Sequence, residues 1–142
     1  MTAIGGDNRY YTLNFLWWLR ELIDWLVGVA DDLGLIVLPE VHDVYATHEQ
    51  LAAHGYWTYD FVLPGLLLHS IATGDADRLA SHLSSSPARQ VTMLDCHDGI
   101  PIRPDLDGVL IPEEMRRLAD LAIERGGNIN RILSPSHATG GV

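Results

Sequence analysis

Three short apolar runs, spaced along the chain between helix-like segments, constrain its fold more than any other feature. The first is Leu35-Ile36-Val37-Leu38, four apolar residues in a row with no polar alternation. Such a run is typical of a strand that is covered on both faces, as in a parallel sheet. Residues 59–63 and 90–94 are predicted as the second and third strands, and Pro39 and Pro64 limit the first two. The pattern predicts parallel strands.

The segments between these runs have helical character. In residues 14–33, apolar side chains recur at steps of three and four and therefore share one face of a helix. Further helices are predicted over residues 44–54, 65–73, 75–83 and 112–125. Strands that alternate with helices indicate right-handed βαβ crossovers. We therefore predict an α/β fold with three parallel strands and flanking helices.

The chain is predicted to form one domain over residues 1–142. Within it, residues 14–100 form the βα units, residues 101–133 a helical insertion after the third strand, and residues 134–142 a flexible tail. A three-stranded parallel sheet leaves two edges unpaired. We therefore expect the chain to belong to something larger, or to form a homo-oligomer through its exposed sheet edges.

Composition excludes several classes of partner and site. Nine arginines and no lysines oppose 19 acidic residues, a net charge of -10 that disfavours nucleic-acid binding. The lone Cys96 excludes an internal disulfide, and no zinc-finger spacing is present. Arg20, Glu21 and Asp24 interrupt the most apolar helix, so no membrane span is predicted. The first residues lack a secretory pattern, and we expect a cytoplasmic protein.

Two polar clusters follow the first and third predicted strands, where reactive groups gather in parallel sheets. Glu40 and His42 belong to the first cluster, and His97 and Asp98 to the second. Glu40 is either a solvated strand-end acid or a general acid/base. Asp98 is either a turn or N-cap residue before Gly99 or a functional carboxylate. The two histidines are either ordinary strand-end residues or hydrogen-bond donors to a polar ligand.

The remaining histidines and two His-Asp dipeptides leave other interpretations open. His42-Asp43 and His97-Asp98 also suggest a metal phosphohydrolase, although that pattern normally lies on helices. Five histidines fit solvated helix or loop positions and are given no function: His48, His54, His69, His82 and His137.

Four motifs in order resemble consecutive signatures of one family. They are Leu38-Pro39-Glu40-Val41-His42, Tyr59-Asp60-Phe61-Val62-Leu63-Pro64, Leu66-Leu67-Leu68-His69 and Leu94-Asp95-Cys96-His97-Asp98-Gly99-Ile100. Together they resemble sucrose phosphorylases, which belong to the α-amylase superfamily, glycoside hydrolase family thirteen. The resemblance covers about residues 15–131, and the interval from Glu40 to Asp98 also resembles that of the family.

This resemblance implies a (β/α)₈ barrel, of which the chain holds the region from the fifth to the seventh strand. It implies glucosyl transfer between sucrose, or a related α-glucoside, and phosphate, with retention of anomeric configuration. Glu40 matches the general acid/base and Asp98 the residue that stabilises the transition state. His97 matches a sugar-binding residue, and His42 one that borders the acceptor or phosphate site. The resemblance implies no cofactor and no metal.

One expected residue is replaced. The family has its nucleophilic aspartate in a motif resembling Asp-Ala-Ile-Gly, whereas this chain has Thr2-Ala3-Ile4-Gly5 at about that distance before Glu40. We therefore expect a truncated phosphorylase that is inactive alone, of which the glucosyl acceptor stays open. The alternatives are a non-catalytic half-barrel that oligomerises or complements another fragment, and a metal-dependent hydrolase.

Overall fold

A computed structural model describes residues 8–128, 130–131 and 140–141, with side chains described from residue 20 to residue 128. The chain divides into two compact units, Met1–Val37 and Leu38–Val142, and each is described by itself.

The first unit contains one long helix, α1 (Asn8–Asp32), which begins earlier than the predicted residue 14. The helix ends at Asp32, and Gly34 just beyond it has a φ of 70°, in the left-handed region that favours glycine. The main-chain N–H groups of Leu33 and Gly34 donate to the carbonyls of Ala30 and Asp31, which closes the last turn. Among the described residues, no helix is both long enough and apolar enough to span a bilayer.

The expectation of three parallel strands is corrected at Leu35–Leu38. In the described part of the chain these residues belong to no strand, and the side chains of Leu35 and Ile36 are exposed. An apolar run becomes a strand only when a neighbouring backbone pairs its N–H and C=O groups. The apolar character of this segment therefore predicted a strand, but it could not predict whether another strand would pair with it.

In its described residues, the second unit contains four helices and four short strands. In chain order they are α2 (Tyr45–Ala53), β1 (Thr58–Asp60), α3 (Leu63–Thr73), α4 (Asp77–Ser85), β2 (Gln90–Thr92), α5 (Pro112–Glu124), β3 (Asn130–Arg131) and β4 (Gly140–Gly141). β3 and β4 pair antiparallel. Gly140–Gly141 is the described part of the predicted tail, and residues 134–139 and 142 lie outside the described residues.

β1 and β2 form a two-stranded parallel sheet in which Thr58, Tyr59 and Asp60 pair with Gln90, Val91 and Thr92. The chain is therefore an α/β protein. Both strands are shorter than predicted. β1 ends at Asp60 because a helix, α3, begins at Leu63. Asp60 accepts a hydrogen bond from the N–H of Leu63, and Pro64 occupies the first turn of α3, where its missing N–H costs nothing.

The core of the second unit packs α3 against α5 and the loop between β2 and α5. Its buried members are Val62, Leu66, Ile102, Leu106, Leu110, Met115 and Leu118. A Cβ placed on Gly65 would lie 2.5 Å from Leu106 Cδ1, so α3 accepts only glycine at this contact without rearrangement. Leu106 anchors the loop that follows β2.

Candidate active site

A tight turn after β2 presents two of the predicted site residues together. Cys96 and Gly99 exchange two main-chain hydrogen bonds of 3.1 and 2.9 Å, with His97 and Asp98 at the tip between them. Gly99 has a φ of 94°, which favours glycine there. The turn interpretation of Asp98 is therefore correct for its backbone, and the same turn directs its side chain to solvent.

The segment before α2 positions the other two predicted site residues, Glu40 and His42. Asp43 accepts hydrogen bonds from the N–H of Val44 at 2.7 Å and from the hydroxyl of Thr47 at 3.0 Å. The Thr47 bond attaches Asp43 to the first turn of α2, whose N-cap residue is Val44 and has no side-chain cap hydrogen bond. Glu40 and His42 thus lie on the short segment whose far end is fixed by the start of α2.

The structure brings Glu40, His97 and Asp98 together. Each has a side-chain atom within 4.8 Å of one on both of the others, although Glu40 and the turn are far apart in sequence. The His97 Nε2 to Asp98 Oδ2 distance is 3.5 Å. These three side chains are hereafter called the carboxylate cluster. Two carboxylates at one place create a negative potential that favours a developing positive charge.

The carboxylate cluster is open to solvent: its side chains are 42% exposed at Glu40, 72% at His97 and 70% at Asp98. A polar ligand can therefore reach all three groups directly. The same atoms are close enough to surround a small cation, but exposed acidic groups commonly approach one another without one. Asp43 faces α2 and is not among these groups, so only one of the two His-Asp dipeptides contributes as a pair.

His42 lies beside the cluster and is held from two further directions. Its Nε2 is 3.5 Å from Glu40 Oε1, and its Nδ1 is 3.1 Å from Asp105 Oδ2. The ring stacks on the buried Phe61, with centroids 4.1 Å apart and an interplanar angle of 28°. All four predicted site residues therefore occupy one region of the second unit.

Asp105 and Phe61 were not predicted as site residues. Burial raises the pKa of the Asp105 carboxyl above its ordinary value, while the hydrogen bond and charge of His42 act in the opposite direction. One sequence signal could have identified Asp105: it lies on the loop that carries Asp98, seven residues further on. No signal distinguished the ring of Phe61 from any other apolar residue of its run.

The predicted solvated positions of three histidines are wrong. His48, His69 and His82 are buried, and each lies near an acidic side chain, Asp105, Glu114 and Asp60 respectively. A buried imidazole needs polar partners, and the partners here are distant in sequence. His54 is exposed as predicted, whereas His137 lies outside the described residues. Thr2, the position matching the nucleophile, also lies outside them.

Comparison with known proteins identifies several relatives. The chain is 38% identical over 114 residues to a sucrose 6(F)-phosphate phosphorylase of Thermoanaerobacterium thermosaccharolyticum, covering 80% of this chain and 23% of the relative. It is 38% identical over 124 residues to a sucrose phosphorylase of Streptococcus mutans, covering 87% and 25%. A glucosylglycerol phosphorylase of Marinobacter adhaerens is 35% identical over 124 residues, covering 86% and 26%. No protein-family model matches the sequence.

A solved structure agrees with these relatives. The crystal structure of sucrose 6F-phosphate phosphorylase from Thermoanaerobacter thermosaccharolyticum superposes with a TM-score of 0.79 at 35% identity, covering 86% of this chain and 26% of that one. The chain thus spans about a quarter of the length of the proteins it matches. Over most of its own length, in sequence and in fold, this chain is sucrose phosphorylase-like.

Proposed function

We propose that this chain supplies the acid/base and charge-stabilising residues of a retaining glucosyl-transfer site, as part of a (β/α)₈ barrel of the α-amylase superfamily. The reaction is transfer of a glucosyl unit between sucrose, or a related α-glucoside, and phosphate. The observation that supports it is the carboxylate cluster, in which Glu40 lies within 4.8 Å of Asp98 although 58 residues separate them.

Each residue of the site has a distinct proposed role. Departure of the leaving group requires a proton, which a protonated Glu40 donates and later recovers as the base. The transition state carries positive charge near the anomeric carbon, and the ionised Asp98 stabilises it. His97, at the tip of the same turn, hydrogen-bonds the glucosyl unit, while His42 borders the acceptor or phosphate.

Retention also requires a nucleophilic carboxylate about 5–5.5 Å from the acid. By the family motif, Thr2 occupies that position. Without an adjacent base, a threonine hydroxyl is a far weaker nucleophile than an aspartate carboxylate. We therefore propose that the 142-residue chain binds the glucosyl group but does not turn it over alone. Its glucosyl donor lies within the range named by its relatives, sucrose 6(F)-phosphate, sucrose or glucosylglycerol.

A cationic glucose analogue tests the binding role with the chain as it exists. An iminosugar carries the positive charge that the transition state develops, so it should shift the NMR resonances of the His97 ring more than neutral glucose does. Asp98→Asn removes one negative charge and should weaken that binding, whereas Asp107→Asn, on a carboxylate paired with Arg103, should not. Binding that is absent, or equal in both variants, would contradict the proposed site.

Turnover is tested separately by incubating the pure chain with sucrose and inorganic phosphate. We expect no glucose 1-phosphate above the level given by the Glu40→Gln variant. Release of glucose 1-phosphate at an ordinary enzymatic rate, about 1–10³ per second, would overturn the proposal that the chain is inactive alone.

A second candidate function is a non-catalytic module that pairs with another chain. The specific observation is the sheet: among the described residues β1 pairs only with β2, and two strands are marginal by themselves. Light scattering coupled to size exclusion measures the mass in solution. A dimer or larger species favours this candidate, whereas a stable folded monomer counts against it.

A further inference from the structure

The side chain of Asp105 is the most unusual feature of the site, because a carboxylate with 1% exposure contacts His42, whose ring also approaches the exposed Glu40. Burying a carboxylate is costly unless it is paired and hydrogen-bonded. The surrounding loop leaves Asp105 little freedom, since Ile102 and Leu106 on either side are core residues. The buried carboxylate is therefore held at a fixed place.

His42 is the hydrogen-bond partner of Asp105. Its Nδ1 lies 3.1 and 3.3 Å from the two carboxylate oxygens. When Asp105 is ionised, its carboxylate has no hydrogen to donate, so Nδ1 carries the hydrogen of this bond. In the neutral ring the hydrogen is then absent from Nε2, which points to Glu40 Oε1 at 3.5 Å.

We infer that Asp105 is a positioning residue: its buried carboxylate accepts the Nδ1–H of His42 and thereby fixes the tautomer and direction in which this ring presents Nε2 to Glu40. Phe61 completes the arrangement, because its stacked ring prevents the imidazole from tilting away. The inference deepens the proposed function and rests on it for the role of Glu40.

The consequence for Glu40 follows from the hydrogen count. With the hydrogen on Nδ1, the neutral ring presents only a lone pair to Glu40 Oε1, at 3.5 Å. A proton on Oε1 would face this lone pair and not the substrate, so the proton that Glu40 gives to the glycosidic oxygen is carried by Oε2. Donation leaves Glu40 as a carboxylate, and Oε2 recovers a proton from the attacking acceptor. A general acid gains from such orientation as well as from its pKa.

His48 provides an internal reference for the same region. Its Nδ1 lies 3.3 Å from the main-chain carbonyl of Tyr59, which can only accept, so Nδ1 of His48 also carries a hydrogen. Its Nε2 is 4.0 Å from Asp105 Oδ1, too far for a hydrogen bond. The tautomer of His48 is thus fixed by the backbone, and that of His42 by Asp105.

The tautomers are measured by two-bond ¹H–¹⁵N correlation spectra of the full chain at about pH 9, where imidazoles are mostly neutral. In the wild type we expect the Nδ1–H form for both His42 and His48. In Asp105→Ala we expect His42 to shift towards the Nε2–H form that a free imidazole side chain prefers, while His48 is unchanged. Phe61→Leu is the matched control, since it alters the stacking and keeps the carboxylate.

Three results would overturn the inference: an Nε2–H form of His42 in the wild type, an unchanged His42 in Asp105→Ala, or a change of His42 in Phe61→Leu as large as in Asp105→Ala. If Asp105→Ala does not fold, the wild-type spectrum still decides the tautomer. Because these spectra report His42 directly, they can fail while iminosugar binding at Asp98 succeeds, and the reverse also holds.

Discussion

Two Asp-His pairs in the second unit show that the same residue types serve different purposes in different surroundings. His97 and Asp98 are adjacent in sequence, 3.5 Å apart and about 70% exposed. His82 and Asp60 are 22 residues apart in sequence, yet His82 Nε2 lies 2.9 and 3.0 Å from the Asp60 oxygens and both side chains are buried. The conspicuous pair in the sequence is the loosely associated one in the structure.

The difference arises from water. At the exposed turn, solvent hydrates both groups, so their mutual attraction adds little and each is available to a ligand. Under α3 and α4, Asp60 has no access to solvent and depends on His82 and on the N–H of Leu63 for its hydrogen bonds. The buried pair therefore contributes to folding, and the exposed pair can contribute to binding.

An intermediate pair lies between these extremes. His69 Nε2 is 3.5 Å from Glu114 Oε1, with side-chain exposures of 8% and 22%. Glu114 also accepts hydrogen bonds from the guanidinium of Arg78 and from the N–H of Ile111, the N-cap residue of α5. The three pairs therefore differ in burial, from His82–Asp60 through His69–Glu114 to His97–Asp98. We expect substitutions to lower the free energy of unfolding in the same order.

The largest effect is expected for Asp60→Ala. Removing Asp60 leaves the buried Nε2 of His82 without its hydrogen-bond partner, and an unsatisfied buried polar group typically costs about 1–3 kcal/mol. The variant also loses the acceptor for the Leu63 N–H at the start of α3. Urea unfolding followed by far-ultraviolet circular dichroism measures the change in free energy of unfolding.

Asp60→Asn serves as the matched control, because it keeps an oxygen for Leu63 and removes only the charge. It should be destabilised less than Asp60→Ala. If Asp60→Ala unfolds with the wild-type midpoint, burial does not determine the role of these pairs and the comparison fails.

A smaller effect, with a defined pH dependence, is expected for Glu114→Gln. The hydrogen bond from Arg78, and after it that from the N–H of Ile111, lowers the pKa of Glu114 below its ordinary 4.5. A lowered folded-state pKa stabilises the fold above the unfolded-state value, and that stabilisation is lost as pH falls through the folded-state pKa. The variant should be less stable than the wild type by up to about 1 kcal/mol near neutral pH, with the difference vanishing in acid.

Glu113→Gln is the control for this variant, since Glu113 is 69% exposed and contacts only its helix neighbour Arg116 among the described ion pairs. Chemical unfolding at neutral pH and at a pH below the folded-state pKa separates the two variants. A Glu114→Gln effect that persists unchanged in acid would show that the contribution comes from packing and not from charge.

The comparison also explains which parts of the molecule can be predicted from its sequence. Helix positions were predictable where local signals exist: Gly34, Gly55 and Gly74, just beyond α1, α2 and α3, adopt the positive φ that glycine tolerates best. Pro112 begins α5 as predicted. Strands were less predictable, because pairing depends on residues elsewhere. Leu35–Leu38 has the composition of a buried strand and no strand partner in the described part of the chain.

The site was readable to the same limited extent. The strand-end rule selected Glu40 and Asp98, which the fold then placed together, and their chemical roles stay predictions. Asp105 was not selected, because its importance comes from burial against His42 across 63 positions of sequence. Local sequence patterns identify exposed site residues. The buried residues that contact and orient them cannot be identified in this way, because their positions are set by tertiary packing.

The smallest effect on stability is expected for Asp98→Ala, at the exposed end of the series. Its side chain is hydrated, its partner is a sequence neighbour, and the turn is closed by the main chain of Cys96 and Gly99 without help from either side chain. Substitutions at such positions usually change the free energy of unfolding by less than about 0.5 kcal/mol. The urea midpoint should therefore match that of the wild type, and His97→Ala should behave in the same way.

A loss of 2 kcal/mol or more, roughly the range of buried polar groups, would mean that Asp98 is needed to build the turn. Its carboxylate would then have a structural reason to be there, and the strongest argument for a sugar-binding role, an exposed acid with no folding task, would no longer hold.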